Sequence, residues 1–204
     1  MTKKILLAGL LGGLGLFVWG FMSHMVLGLG QVGIKEMPYE QPVVDAMKAG
    51  LPKPGLYFFP GMGLGDHPTR DQQKAAMPQY AEKYKAGPVG ILVYSPTGTT
   101  MMSPGQLLTE LGLNIVEALI AAWLLSLATG LVSFGSRVGF VLVLGMLSAI
   151  VTNIQYWNWY GFPADFTGAA IFSQVVGFLF VGLIVAAFVK APVARPVSVP
   201  SRAA

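Results

Sequence analysis

The stretch LLTELGLNIVEALIAAWLL, residues 107 to 125, decides how the rest of the chain is read. It is apolar enough to cross a lipid bilayer, yet it carries Glu110, Asn114 and Glu117. At 100° per residue those three side chains, with Ala121, fall within ~60° of one another on a helix. An ionised carboxylate facing acyl chains costs at least ~2.5 kcal/mol at the bilayer centre. The spacing therefore predicts a transmembrane helix whose polar stripe faces the interior of a helical bundle.

The composition agrees with that starting point. Of 204 residues 54% are hydrophobic and 11% charged, far below the quarter that is charged in an ordinary soluble domain. There is no cysteine, which excludes disulfides, thiolate metal sites, iron–sulfur clusters and covalent c-type haem. The net charge of +4 does not point to nucleic acid, because the basic residues are spread along the chain instead of forming one patch.

Three further apolar runs extend the pattern. Residues 5 to 30 follow Met-Thr-Lys-Lys and are too long for a signal-peptide core, with no Ala-x-Ala behind them. They read as a retained first span. The others fall at about 138 to 158 and 167 to 189, beside a second span at 106 to 128. Trp157, Trp159 and Tyr160 form an aromatic belt at one end of the third. The fold class expected is an all-α membrane protein, a four-transmembrane-helix bundle with a small extracytoplasmic cap between the first and second helices.

Orientation follows from Lys and Arg in the short flanks. With the N-terminus inside, Lys3, Lys4, Arg137, Lys190, Arg195 and Arg202 all fall on the cytoplasmic side, and no acidic residue joins them. The domain order expected is an N-terminal tail with the first span (1–30), an extracytoplasmic cap (31–105), spans two to four (106–190) and a Pro-rich, disordered cytoplasmic tail (191–204). In the cap, short helices near 41–49 and 69–86, the second kinked or interrupted at Pro78, and a strand at 89–95 fit the local pattern. At this size the segment is expected to rest on the outer helix ends.

Polar side chains also share faces on the other helices. Gly9, Gly12, Gly13, Gly20, Ser23 and His24 lie together on the first, and Gly9-x-x-x-Gly13 is a close-approach pattern able to dock a partner subunit or a second copy. Ser148, Thr152, Gln155 and Trp159 align on the third, Thr167 and Gln174 on the fourth. At 1.5 Å per residue, Glu117 falls near mid-membrane and the remainder in the outer half. His24, Glu110, Asn114, Glu117, Thr152, Gln155 and Gln174 are thus expected to line a polar pocket that opens outward, beneath the cap.

The chemistry of such a pocket has a structural and a functional reading. Glu117 and Glu110 serve either as neutral carboxyls hydrogen-bonded to Asn114 or Gln155, or as a proton or cation site. His24 is either tied to a neighbouring helix or acts as a relay. Met22, Met25, Met101 and Met102 add soft thioethers near His24, a copper(I)-like ligand set, although methionine also fills apolar gaps. The glycines of PGMGLGDHP (60–68) are not on a strand-to-helix turn and read as a tight loop. No Ser–His–Asp, H-E-x-x-H or P-loop pattern is present, and no cofactor is named by any motif.

The segments FVWGFMSHMVLG (17–28), GLYFFPGM (55–62) and the opening stretch together resemble a group of uncharacterised bacterial four-span inner-membrane proteins without an assigned activity. The resemblance covers residues 14 to 190. It implies a bacterial cytoplasmic membrane and four spans, and it carries no activity, cofactor or site. The expected function is a non-catalytic membrane component, a small-ligand binder or an accessory subunit. The alternative is a proton- or cation-coupled small transporter using Glu117, and a further one is a copper-binding membrane protein.

Overall fold

The computed structural model describes residues 2–98 and 100–190, so the tail predicted at 191–204 lies outside the described residues. In chain order the elements are α1 (Thr2–Phe21), α2 (Glu40–Gly50), β1 (Gly55–Phe59), α3 (Arg70–Ala86), β2 (Gly90–Tyr94), α4 (Pro104–Leu127), α5 (Phe134–Ala149), α6 (Gln155–Tyr160) and α7 (Ala164–Phe188). A π-turn at Met22–Val26 prolongs α1, and another at Ile150–Ile154 joins α5 to α6. Four continuous helices are long and apolar enough to cross a membrane: Lys3–Val26, Pro104–Leu127, Phe134–Tyr160 and Ala164–Phe188. Each exceeds the ~30 Å of hydrocarbon in a bilayer. The chain is a mostly helical, multi-pass membrane protein.

Local chemistry sets the ends of these helices. The first stops at Val26, before the predicted 30, because Gly28 adopts φ 68° and turns the chain out of the helix. The second starts at Pro104 because Ser103 and Gln106 form a capping box: Ser103 Oγ accepts from the Gln106 amide at 3.3 Å, and Gln106 Oε1 accepts from the Ser103 amide at 2.8 Å. The third starts at Phe134, where Ser133 Oγ accepts from the Ser136 amide at 3.0 Å.

The chain divides into two compact units. In the first, which holds the long helices, α1 packs against α4 and α7, and α5 packs against α7, while α4 meets α5 and α7 much less. Glycine permits these approaches. A Cβ on Gly13 would run into the backbone of Ile115, and one on Gly9 into Leu119, so the Gly9/Gly13 face is filled by α4 of the same chain. This corrects the expectation of a free docking face: the small residues bring two helices of one chain together and leave no groove for a partner. Gly177 seats Leu16 and Trp19 of α1, and Gly145 seats Phe178 of α7.

One end of this unit is closely packed. Ala118, Ala121, Ala122 and Leu125 of α4, Val141 of α5, Val181 and Val185 of α7 and Ala8 of α1 form a buried core. Buried Arg137 ties off the same end, with Nε donating to the Ala186 carbonyl at 3.2 Å and Nη1 to the Val132 carbonyl at 2.8 Å. A cation at the last turn of α7 also meets the negative end of that helix's dipole.

The second unit comprises Lys35–Thr100 with Trp159–Gly161. Here β1 and β2 pair antiparallel, with Gly55 opposite Tyr94 and Phe59 opposite Gly90. The strand expected at 89–95 is β2; its partner β1 was not anticipated, so the chain is not all-α. Helix α3 runs unbroken through Pro78 from a Thr69/Gln72 capping box, and the rings of Phe58 and Tyr84 stack at 6.3 Å. No described residue of this unit is buried.

Candidate functional site: a polar cavity walled by three helices

The other end of the helical unit is organised around one step of α7. Trp19 Nε1 donates to the Ser173 carbonyl at 2.8 Å, and Ser173 Oγ donates to Ser23 Oγ at 3.1 Å. Ser23, fully buried, donates onward to the Gly20 carbonyl at 3.0 Å. The next residue, Gln174, is held from the opposite side: its Nε2 donates to Ser148 Oγ at 2.8 Å, and its Oε1 accepts from Asn153 Nδ2 at 3.2 Å. Ser23 and Asn153 each belong to a π-turn, so both irregular turns direct their polar side chains at adjacent residues of α7. Such wide turns recur at functional sites.

Between α1, α4, α7 and the short turn Leu29–Gln31 lies a cavity of 290 Å³. Among the sequence-predicted site residues, His24, Glu110, Asn114, Glu117 and Gln174 line it. Thr152 and Gln155 do not; both are exposed. The reason is that no residue of the third span borders the cavity; that span meets α7 from the opposite side, through its π-turn. A regular α-helix places Ser148 and Asn153 about 140° apart, but the wider turn brings both to Gln174 and rotates the residues beyond it. Asn153 was missed because of that wider turn, and its sequence neighbourhood carries no signal for the extra residue in the turn.

The polar groups of the cavity differ in how far they are already engaged. Both ends of the Gln174 amide are used by α5 and its π-turn. His24 Nδ1 lies 3.0 Å from both the Gly20 carbonyl and Ser23 Oγ. Because a carbonyl only accepts, Nδ1 carries a proton in the arrangement that satisfies both contacts. Gly30 provides the room that seats the imidazole edge. By contrast, Asn114 is only 6% exposed and its carboxamide has no hydrogen-bond partner among the described residues. Exposed Glu110 and Glu117 likewise have no hydrogen bond or ion pair among the described residues.

The methionines do not gather round His24. Met25 and Met102 border a neighbouring cavity of 310 Å³ together with His24 and Glu110, whereas Met22 faces a separate apolar groove between α1 and α7. Met101 is 82% exposed and lines neither. The copper-like set of four thioethers is therefore corrected to two, because Met22 and Met25 lie on different sides of α1. Among the described residues no three His, Cys, Asp or Glu side chains gather as a metal site. The chain matches no known protein family, no curated protein and no solved structure.

Proposed function

We propose that the protein is a small-ligand-binding protein of a bacterial inner membrane, with its binding site in the cavity between α1, α4 and α7. The observation that carries this reading is Asn114. Its carboxamide opens onto the cavity and makes no hydrogen bond among the described residues, so its donor and acceptor are both available to a ligand. The clustering of Lys3, Lys4, Arg137 and Lys190 at the packed helix ends supports an N-in arrangement. On that arrangement the cavity lies in the leaflet away from the cytosol, and residues 31–105 are extracytoplasmic.

The accessory-subunit reading has less behind it, since the Gly9/Gly13 face that motivated it is covered by α4. Transport coupled to protons or cations draws support from Glu117, which has no partner among the described residues and borders the cavity. Beyond Glu117, α4 presents Ala and Leu to the core, and its one hydroxyl there, buried Ser126, is tied to the Trp123 carbonyl.

Native mass spectrometry of the full chain released from nanodiscs of its own lipids tests the binding reading. The wild-type protein is expected to retain a small non-lipid mass that Ala170→Phe, which fills the cavity, loses. Equal spectra for the two proteins, or no retained mass in the wild type, would overturn it.

A further inference from the structure

The cavity's unused groups define a chemical class of ligand. With Gln174, Ser173 and His24 Nδ1 engaged by the protein itself, what faces the space is the Asn114 carboxamide, the Glu110 and Glu117 carboxylates and His24 Nε2. The two carboxylates and the Asn114 carbonyl oxygen accept hydrogen bonds, and the Asn114 amide nitrogen donates. No Lys or Arg lines the cavity. The remaining wall includes the rings of Trp19, Phe166 and Phe178.

We infer that the cavity takes a small organic ammonium ion, its apolar body against the aromatic wall and its cationic head between Asn114 and the two carboxylates. This rests on the ligand-binding reading above and narrows it. A metal ion fits poorly, because among the described residues no three His, Cys, Asp or Glu side chains gather as a metal site. An anion meets two carboxylates and no fixed cation. A neutral ligand leaves both carboxylates uncompensated beside an apolar wall. An ammonium group answers all three features, because it donates to Asn114, pairs with a carboxylate and is attracted by aromatic faces.

Isothermal titration of the full chain in detergent micelles, using phenethylammonium, phenylacetamide and phenylacetate, separates charge from shape. All three carry one phenyl ring, and they differ in bearing a positive, a neutral or a negative head. Phenethylammonium is expected to bind about tenfold more tightly than phenylacetamide, with no heat from phenylacetate. Glu117→Gln is expected to weaken the ammonium ion about tenfold while leaving phenylacetamide unchanged; Glu110→Gln serves as the second variant should the first not fold. If phenylacetamide binds as tightly as the ammonium ion, or if neither Gln variant alters ammonium binding, the cation assignment falls and the binding reading stands. If none of the three probes binds while the native protein retains its mass, again the assignment alone falls. If the native protein also retains no mass, both fall.

Discussion

The two ends of the long helices solve the same packing problem in opposite ways. At one end α4 presents Ala118, Ala121, Ala122 and Leu125, and the helices close on them with almost no polar atoms inside. At the other, only a few residues earlier on the same helix, α4 presents Glu110, Asn114 and Glu117 to a cavity. Small residues let backbones approach, and in a membrane that closeness supplies the association energy that the hydrophobic effect supplies in water. Long polar side chains hold the helices apart. Once apart, they require partners, and at this end two π-turns provide them for α7 but not for Asn114. The difference teaches that a stable seam and an open site can share one helix, provided the polar stripe ends where the alanines begin.

The packed end breaks most readily at its glycines. Gly13→Leu is expected to lower stability by about 3 kcal/mol, near the upper end for overpacking, because the new side chain meets the backbone of Ile115. Thermal unfolding in detergent measures it, and an unchanged midpoint would mean that α1 and α4 are not in close approach there. A smaller loss follows at the open end. Gln174→Leu removes the bonds to Ser148 and Asn153, and intramembrane hydrogen bonds of this kind are worth about 0.6 kcal/mol each. A loss of about 1 kcal/mol is therefore expected, with α5 loosened against α7. Hydrogen exchange of the amides in Ile150–Ile154 would locate it.

The smallest effect has the opposite sign. Asn114→Leu is expected to raise stability by about half a kcal/mol, since an amide with no hydrogen-bond partner among the described residues is replaced by an apolar side chain. The same variant is expected to lose ligand retention in the native spectra. A variant that is less stable than the wild type would show that the carboxamide is satisfied within the folded chain. The pairing of gained stability with lost binding is the usual mark of a functional residue maintained at the expense of the fold.

Much of the helical layout was legible without coordinates. The four spans were expected, and each helix came within a few residues of its predicted end, with the offsets traceable to Ser103, Ser133 and Gly28. The polar stripe of α4 was legible because α4 is regular, so counting at 100° per residue applies along its whole length. On α5 the same count failed after Ala149, where the π-turn admits one more residue per turn. Thr152 and Gln155 were thereby expected at the cavity, whereas the residue of that turn that reaches α7 is Asn153, through Gln174. Strand β1 was missed because GLYFF lacks the apolar–polar alternation that marks a half-buried strand.

By itself the sequence determined that this chain crosses a membrane, how many helices can do so, and which face of α4 is polar. Length, hydropathy and periodicity are properties of contiguous residues, so they can be read from contiguous residues. Only the tertiary structure decided that Gly9 and Gly13 receive α4, that Ser173 and Gln174 are claimed from both sides, and that Asn114 is left over. Those outcomes depend on which distant donor and acceptor meet first in space, and a close approach or a single wide turn changes the answer without changing the composition.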